Sequence, residues 1–334
     1  MPASDGSAVM DAQEFLPDEK IIASIRQDIA RYERDRVSAR RKAMVRALLF
    51  LGLLAVAIWL LALAFNRFAD PFEQWASTPH VFLYLVGVIL AFFLYWWAGK
   101  PAADLQQSFR SKLLPIVFGF IDNLRYGKGV RPESFDRLPP EVVGDFDRQT
   151  FDDVVAGTYH GFSFELYEAT LKDKVGNAET TLFRGIVMAF ETEQPFAGLL
   201  VATRKENHVV SFFRGLFGAS VDVIESGIPA IDEKYEFRTD NAEAAQPLVR
   251  GRLAQALQWL GEAWPGEPAR VALRGNDGFL LLPTPKDFFE LPAASVPLDY
   301  KTHVEPIIAD MASLLATAAL VRKVGSADET APDA

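Results

Sequence analysis

Two apolar stretches interrupt an otherwise mixed pattern of hydrophobic and polar positions. Ala47 to Phe65 runs for 19 residues without a charge, and Val81 to Ala98 for 18. Nineteen helical residues rise about 28 Å, close to the hydrocarbon thickness of a bilayer, so each run predicts a membrane-spanning helix. Tyr95, Trp96 and Trp97 close the second run, where amphipathic rings suit the headgroup interface. A long charged segment precedes the first run and separates it from a secretory leader.

The flanks of the spans read as helices. Pro17-Asp18-Glu19 supplies a start, with proline early and acids in the first turn, and Ile22, Ile25, Ile29 and Tyr32 follow on one face. Beyond the second span, Leu105, Phe109, Leu113, Ile116, Phe120 and Leu124 recur at intervals of three and four, with a kink expected at Pro115. The two stripes either pack together as an antiparallel stalk or each cover the soluble body.

From Phe151 the period changes to two. Val154 to Tyr159, Phe162 to Leu171 and Thr181 to Phe190 predict strands, with a hairpin loop around Gly176-Asn177. Gly198 to Thr203 and Ser220 to Ile224 are weaker strand candidates. A strand from Lys234 to Arg238 and a helix from Pro247 to Ala263 come next. Val271 to Arg274 and Phe279 to Leu282 pair across Gly275 to Gly278, and a final helix covers Tyr300 to Val324. That last helix is too amphipathic in its first half to be a third span.

The predicted fold class is α+β: a two-helix transmembrane hairpin, flanking cytoplasmic helices and a soluble mixed α+β domain. Its parts are a disordered N-terminus (1–16), a cytoplasmic amphipathic helix (17–46), the first span (47–65), an external loop (66–80) and the second span (81–98). A membrane-proximal helix (99–128), a linker (129–150), the α+β domain (151–324, divisible into 151–230 and 231–324) and a disordered tail (325–334) complete the chain.

Charge orients this arrangement. Arg31, Arg34, Arg36, Arg40, Arg41, Lys42 and Arg46 crowd the approach to the first span, whereas the connecting loop holds Arg67 against Asp70 and Glu73. Basic residues stay with the cytoplasm, so both termini are expected inside a cytoplasmic (inner) membrane. Neither span carries an ionisable residue, which argues against a channel or transporter. From Lys100 onward there are 24 basic and 34 acidic residues, a balance that excludes a broad nucleic-acid-binding surface. The chain has no cysteine, which removes disulfides and thiolate metal sites.

Familiar chemistry is missing. Gly99-Lys100 lacks the upstream glycine of a phosphate loop, and His80, His160, His208 and His303 are isolated in sequence. Asp145, Asp147, Asp152 and Asp153 are a dense acidic cluster, but Thr150 stands where a calcium loop needs glycine. A solvated face is the preferred reading there. No metal, cofactor or catalytic residue is therefore assigned. The candidate contact for a partner or for the bilayer is Phe212, Phe213, Arg214, Leu216 and Phe217, in a glycine-punctuated segment. An ordinary buried strand and turn is the competing and preferred reading of it.

The order of features resembles the uncharacterised family of bacterial membrane proteins catalogued as DUF3137. The matching residues are Phe151-Asp152-Asp153-Val154-Val155-Ala156-Gly157, Phe162-Ser163-Phe164-Glu165-Leu166 and Leu182-Phe183-Arg184-Gly185. Tyr235-Glu236-Phe237, Asp240-Asn241-Ala242-Glu243-Ala244, Gly278-Phe279-Leu280-Leu281-Leu282 and Asp287-Phe288-Phe289-Glu290 follow in order. The resemblance implies a membrane location and a cytoplasmic domain, and brings no activity.

The functional expectation is a non-enzymatic, membrane-anchored binding or scaffold protein with a protein partner and a capacity to form a homo-oligomer. The alternative is a membrane-surface enzyme acting on lipid or peptide.

Overall fold

The computed structural model describes residues 12–67, 78–107, 109–175, 178–205, 221–290, 292 and 296–323. The chain divides into two compact units: Met1–Ala23, Leu114–Leu291 and Asp299–Ala334 form one, and Ser24–Leu113 with Pro292–Leu298 the other.

The second unit is helical. A single 48-residue helix, α1 (Glu19–Asn66), carries the amphipathic segment into the apolar run without a break. The 30-residue helix α2 (Thr78–Gln107) returns alongside it. Three contacts fix the pairing. Phe50 meets Trp97 edge-on with ring centroids 5.7 Å apart. At the other end, the buried His80 ring lies 3.0 Å from the Ala62 carbonyl oxygen. Midway, a Cβ on Gly87 would overlap the Ile58 side chain, so the glycine lets the helices approach closely. The outward faces are bare: Phe82, Val88 and Phe92 are each about 70% exposed. Such a concentration of exposed apolar side chains matches a lipid-facing surface.

The first unit is built on a seven-stranded antiparallel sheet. Its axis is the 27-residue strand β4 (Ala178–Arg204), which pairs along both halves with β7 (Arg270–Pro283). On the opposite edge of β4, its first half pairs with β3 (Phe162–Val175) and its second with β6 (Tyr235–Thr239). β2 (Arg148–Tyr159) and β1 (Asp122–Lys128) extend the sheet beyond β3, and β5 (Asp222–Ile224) beyond β6. Residues 151–230 and 231–324 therefore share one sheet rather than forming separate cores.

Alternation along the strands gives the sheet two apolar faces. Val154, Tyr167, Ala169, Val187, Ala272, Phe279 and Leu281 face one side, where Phe135, Leu138, Val142 and Val143 cover them. Those covering residues lie in the expected linker 129–150. It holds a short 3-10 turn (Phe135–Arg137) and a helix, α4 (Pro140–Val143), and is part of the core. Leu166, Ile186, Met188, Leu200, Leu280 and Leu282 have the opposite parity and are also buried. That face receives α8 (Glu305–Arg322), against which α7 (Arg252–Ala263) packs.

Other expectations change. The helix expected over 99–128 gives way after α3 (Phe109–Val117) to a turn and then strand β1, so Leu124 lies in the sheet. Pro115 removes a helical donor near the end of α3, and the free edge of β2 supplies partners for the next residues. Val271–Arg274 and Phe279–Leu282 do not form a hairpin. They belong to one strand, because β4 offers both segments hydrogen-bond partners along its length. The helix expected from Pro247 begins earlier, as α6 (Ala242–Arg250), capped by the Asn241 side chain accepting from the Ala244 N–H at 3.2 Å. At the N-terminus Ala12–Phe15 form a 3-10 turn that packs against α8. The remainder of segment 1–16 and the tail from 325 lie outside the described residues.

Candidate functional site

A cavity of about 220 Å³ opens on the sheet face that carries α8's partners, beside the β2–β3–β4 ladder. Its chemistry comes from a β-bulge. Phe151 pairs with Ala169 and Val154 with Tyr167, so Asp152 and Asp153 together oppose Glu168. Extra residues of this kind re-aim side chains. The chain after β7 then delivers a third carboxylate, with the Phe288 N–H donating to Glu168 Oε1 and Asp287 placed alongside. Asp152, Glu168 and Asp287, all half-buried, can bring one oxygen each within 4.8 Å of the others.

Arg184 and Lys286 complete the lining with Thr150, Thr170 and Thr284. Gly185 is needed at the base, since a Cβ there would overlap the Leu282 carbonyl oxygen. Lys128 Nζ lies 3.4 Å from Asp152 Oδ1. Asp153 points elsewhere: it is fully buried and accepts a 2.5 Å hydrogen bond from the Tyr126 hydroxyl.

Burial pushes the Glu168 carboxyl up to about 7, reinforced by the negative charge of Asp287 and opposed by the Phe288 N–H. A carboxyl poised near neutrality in a cleft can exchange a proton under working conditions. Three convergent carboxylates can also hold a hard divalent cation through oxygen ligands. Of the four aspartates singled out in the sequence, the cavity gathers only Asp152. Asp147 accepts from the Lys174 N–H at 3.2 Å, and Asp145 is exposed. Glu168 and Asp287 could be missed because they lie 16 and 135 residues from Asp152. The sequence signal was the paired Asp152-Asp153 inside an apolar strand.

The second feature is larger: a groove of about 710 Å³ between α5 (Pro229–Asp232), the start of β6, α7 and the turn into β7. Ile231, Tyr235, Leu257 and Leu260 form a buried floor, and Trp264 a half-buried wall, stacked at 17° on Phe288. Arg204, Lys205 and Lys234 stand on its rim with Glu233, Glu262 and Glu267. Burial pushes the Tyr235 hydroxyl up to about 12, so it remains a neutral polar group at neutral pH. An apolar floor under a rim of mixed charge suits an apolar side chain on an extended or helical peptide.

Phe212, Phe213, Arg214, Leu216 and Phe217, and His208, lie outside the described residues. The described histidines line neither feature. His160 stacks on Phe15 at 5.1 Å, His303 receives the Asp299 N–H at 3.1 Å, and His80 belongs to the helical hairpin.

No family model matches the sequence, and no curated protein matches it. Among solved structures, the chain is similar to the crystal structure of the mycobacterial trehalose monomycolate transport factor A, TtfA. The identity is 12%, over 64% of this chain and 93% of that one, with a TM-score of 0.32.

Proposed function

We propose that this chain is a non-enzymatic, membrane-tethered binding protein whose α+β domain captures a segment of a protein partner in the α5–α7 groove. The supporting observation is the groove itself: a floor of buried apolar side chains with a charged rim of both signs. In this reading α1 and α2 cross the cytoplasmic (inner) membrane as a two-pass hairpin, with both termini and the domain in the cytoplasm. The exposed apolar faces of both helices support it, as does the basic approach to Ala47. The resemblance of the motif order to DUF3137 implies the same architecture.

The test is photo-crosslinking in the native host. A photoreactive residue at Gln258, on the groove, should trap one dominant protein, and the same residue at the exposed Gln149 should not. Equal yields from both positions would sink the groove as a receptor. Because the chain lacks cysteine, single cysteines at Asp145 and Asp70 report sidedness directly. Labelling of Asp70→Cys alone by an impermeant reagent in intact cells is the expected outcome.

The Glu168 carboxyl near 7 beside two further carboxylates favours a second reading, a membrane-surface enzyme acting on lipid or peptide. Manganese titration followed by electron paramagnetic resonance separates the two. Binding in the micromolar range that Glu168→Gln abolishes would promote the enzyme; no binding up to millimolar metal would retire its metal-dependent form.

A further inference from the structure

We propose that the basic end of the α1–α2 hairpin is a collar that selects anionic phospholipid headgroups. The inference rests on the hairpin spanning a bilayer.

Along α1 the cations change character. Arg31 lies 3.4 Å from Asp28, Arg34 donates to the Ala30 carbonyl, and Arg36 pairs with Glu33 at 2.9 Å while donating to the Val296 carbonyl. Arg40, Arg41, Lys42 and Arg46 are exposed and have no hydrogen-bond or ion-pair partner among the described residues. No acid could serve them locally, because none occurs between Asp35 and Asp70. Four cations without counter-charges among the described residues therefore stand directly before the uncharged run.

Their arrangement is annular. At about 100° per residue, Arg40, Arg41 and Lys42 step around three sides of the helix, and Arg46 falls close to Lys42's side. The remaining direction is taken by Ala43, which is buried. From Arg40 to Arg46 the helix rises about 9 Å, comparable with one headgroup layer. Trp97 against Phe50 brings the end of α2's apolar run close to the same level, and Lys100 lies 5.8 Å from the Trp96 ring centroid there. Guanidinium and ammonium groups at that height face phosphates, and each contributes at most about a fivefold preference for an anionic surface. The opposite end offers Arg67 alone among the described residues, so the selectivity belongs to one leaflet.

The full chain would be reconstituted into nanodiscs of equal parts phosphatidylcholine and phosphatidylglycerol, and the lipids retained on the protein counted by native mass spectrometry. Phosphatidylglycerol should be enriched on the order of tenfold, and 0.5 M salt should erase most of the preference. R40Q/R41Q/K42Q/R46Q should bring the two lipids to parity, while R31Q/R34Q leaves the enrichment intact. Should the quadruple variant fail to incorporate, R40Q/R41Q and K42Q/R46Q should each lower the enrichment severalfold. Equal retention of both lipids by the wild-type chain, or enrichment untouched in every collar variant, overturns the collar while leaving the hairpin standing. A wild-type chain that never enters nanodiscs overturns both.

Discussion

Two helices of this protein look alike in composition and end in opposite surroundings. Thr78–Ala98 in α2 and Tyr300–Arg322 around α8 have 21 and 23 residues, and either is long and apolar enough to cross a membrane. Yet 11% of the most apolar window is buried in the first and 61% in the second. The difference lies in what each helix can exclude from water without lipid. Contrary to the amphipathic pattern expected for it, α8 is apolar on nearly every side, with Ile307, Met311, Leu314, Leu315 and Val321 buried, and Ala312, Ala316 and Ala318 allow close approach of its neighbours. A helix of that kind needs protein around it or lipid. Here both a sheet face and α7 are available, and Asp310, which a bilayer would tolerate poorly, is half-buried within reach of Lys286. α2 instead leaves Phe82, Phe92 and Trp96 more than half exposed among the described residues.

The strongest way to break this comparison is to charge the buried member. Leu314→Asp should cost at least about 4 kcal/mol and unfold the sheet cooperatively, since an unpaired carboxylate would replace a fully buried side chain. Urea denaturation of the full chain in detergent, followed by near-ultraviolet circular dichroism, measures it. An unchanged midpoint would mean that α8 is not core.

Within the hairpin, Gly87→Leu should force α1 and α2 apart at a cost of about 1–3 kcal/mol. Ile58 occupies the space that the new side chain would need. The yield of crosslinking by a short bis-maleimide between cysteines substituted for Phe50 and Trp97 should fall steeply in that background.

A protein interior, unlike lipid, can hold carboxylates on the face that also receives an apolar helix, and Glu168 tests that. Its carboxyl is raised from the ordinary 4.5 to about 7. The folded state then keeps a proton that the unfolded chain has lost, so stability falls as pH rises from about 4.5 to 7. Glu168→Gln should remove that slope and stabilise the fold at pH 8 by on the order of 1–2 kcal/mol, discounted for the residue's partial exposure. A melting series from pH 4 to pH 8 on both proteins decides it.

The smallest effect should come from the exposed helix. Leu85→Ala, at a residue 57% exposed, should change the domain's unfolding free energy by no more than about 0.5 kcal/mol.

Periodicity made much of the architecture legible. The alternation of Phe162, Phe164 and Leu166 identified a strand, and the hairpin between β3 and β4 pairs Val175 with Ala178 around the predicted turn. The misreadings share a cause. Residues 271–282 contain a plausible turn, and only the presence of the longer partner strand β4 makes them one strand. Phe135, Leu138, Val142 and Val143 sit among prolines and glycines and read as a linker, although they belong to the core on one face of the sheet. The cavity was the least legible part, because its carboxylates come from a bulge, its partner strand and a distant loop.

What the sequence alone determined was local: where uncharged runs are long enough to span a bilayer, where positive charge gathers beside them, and where the period turns from 3.6 to 2. These follow from hydration and backbone geometry and need no knowledge of neighbours. Tertiary structure decided which apolar helix goes to protein, which aspartate meets Glu168, and whether strands 151–230 and 231–324 share a core. Each of those depends on burial by residues far away in the chain, and a single sequence carries no record of which ones they are.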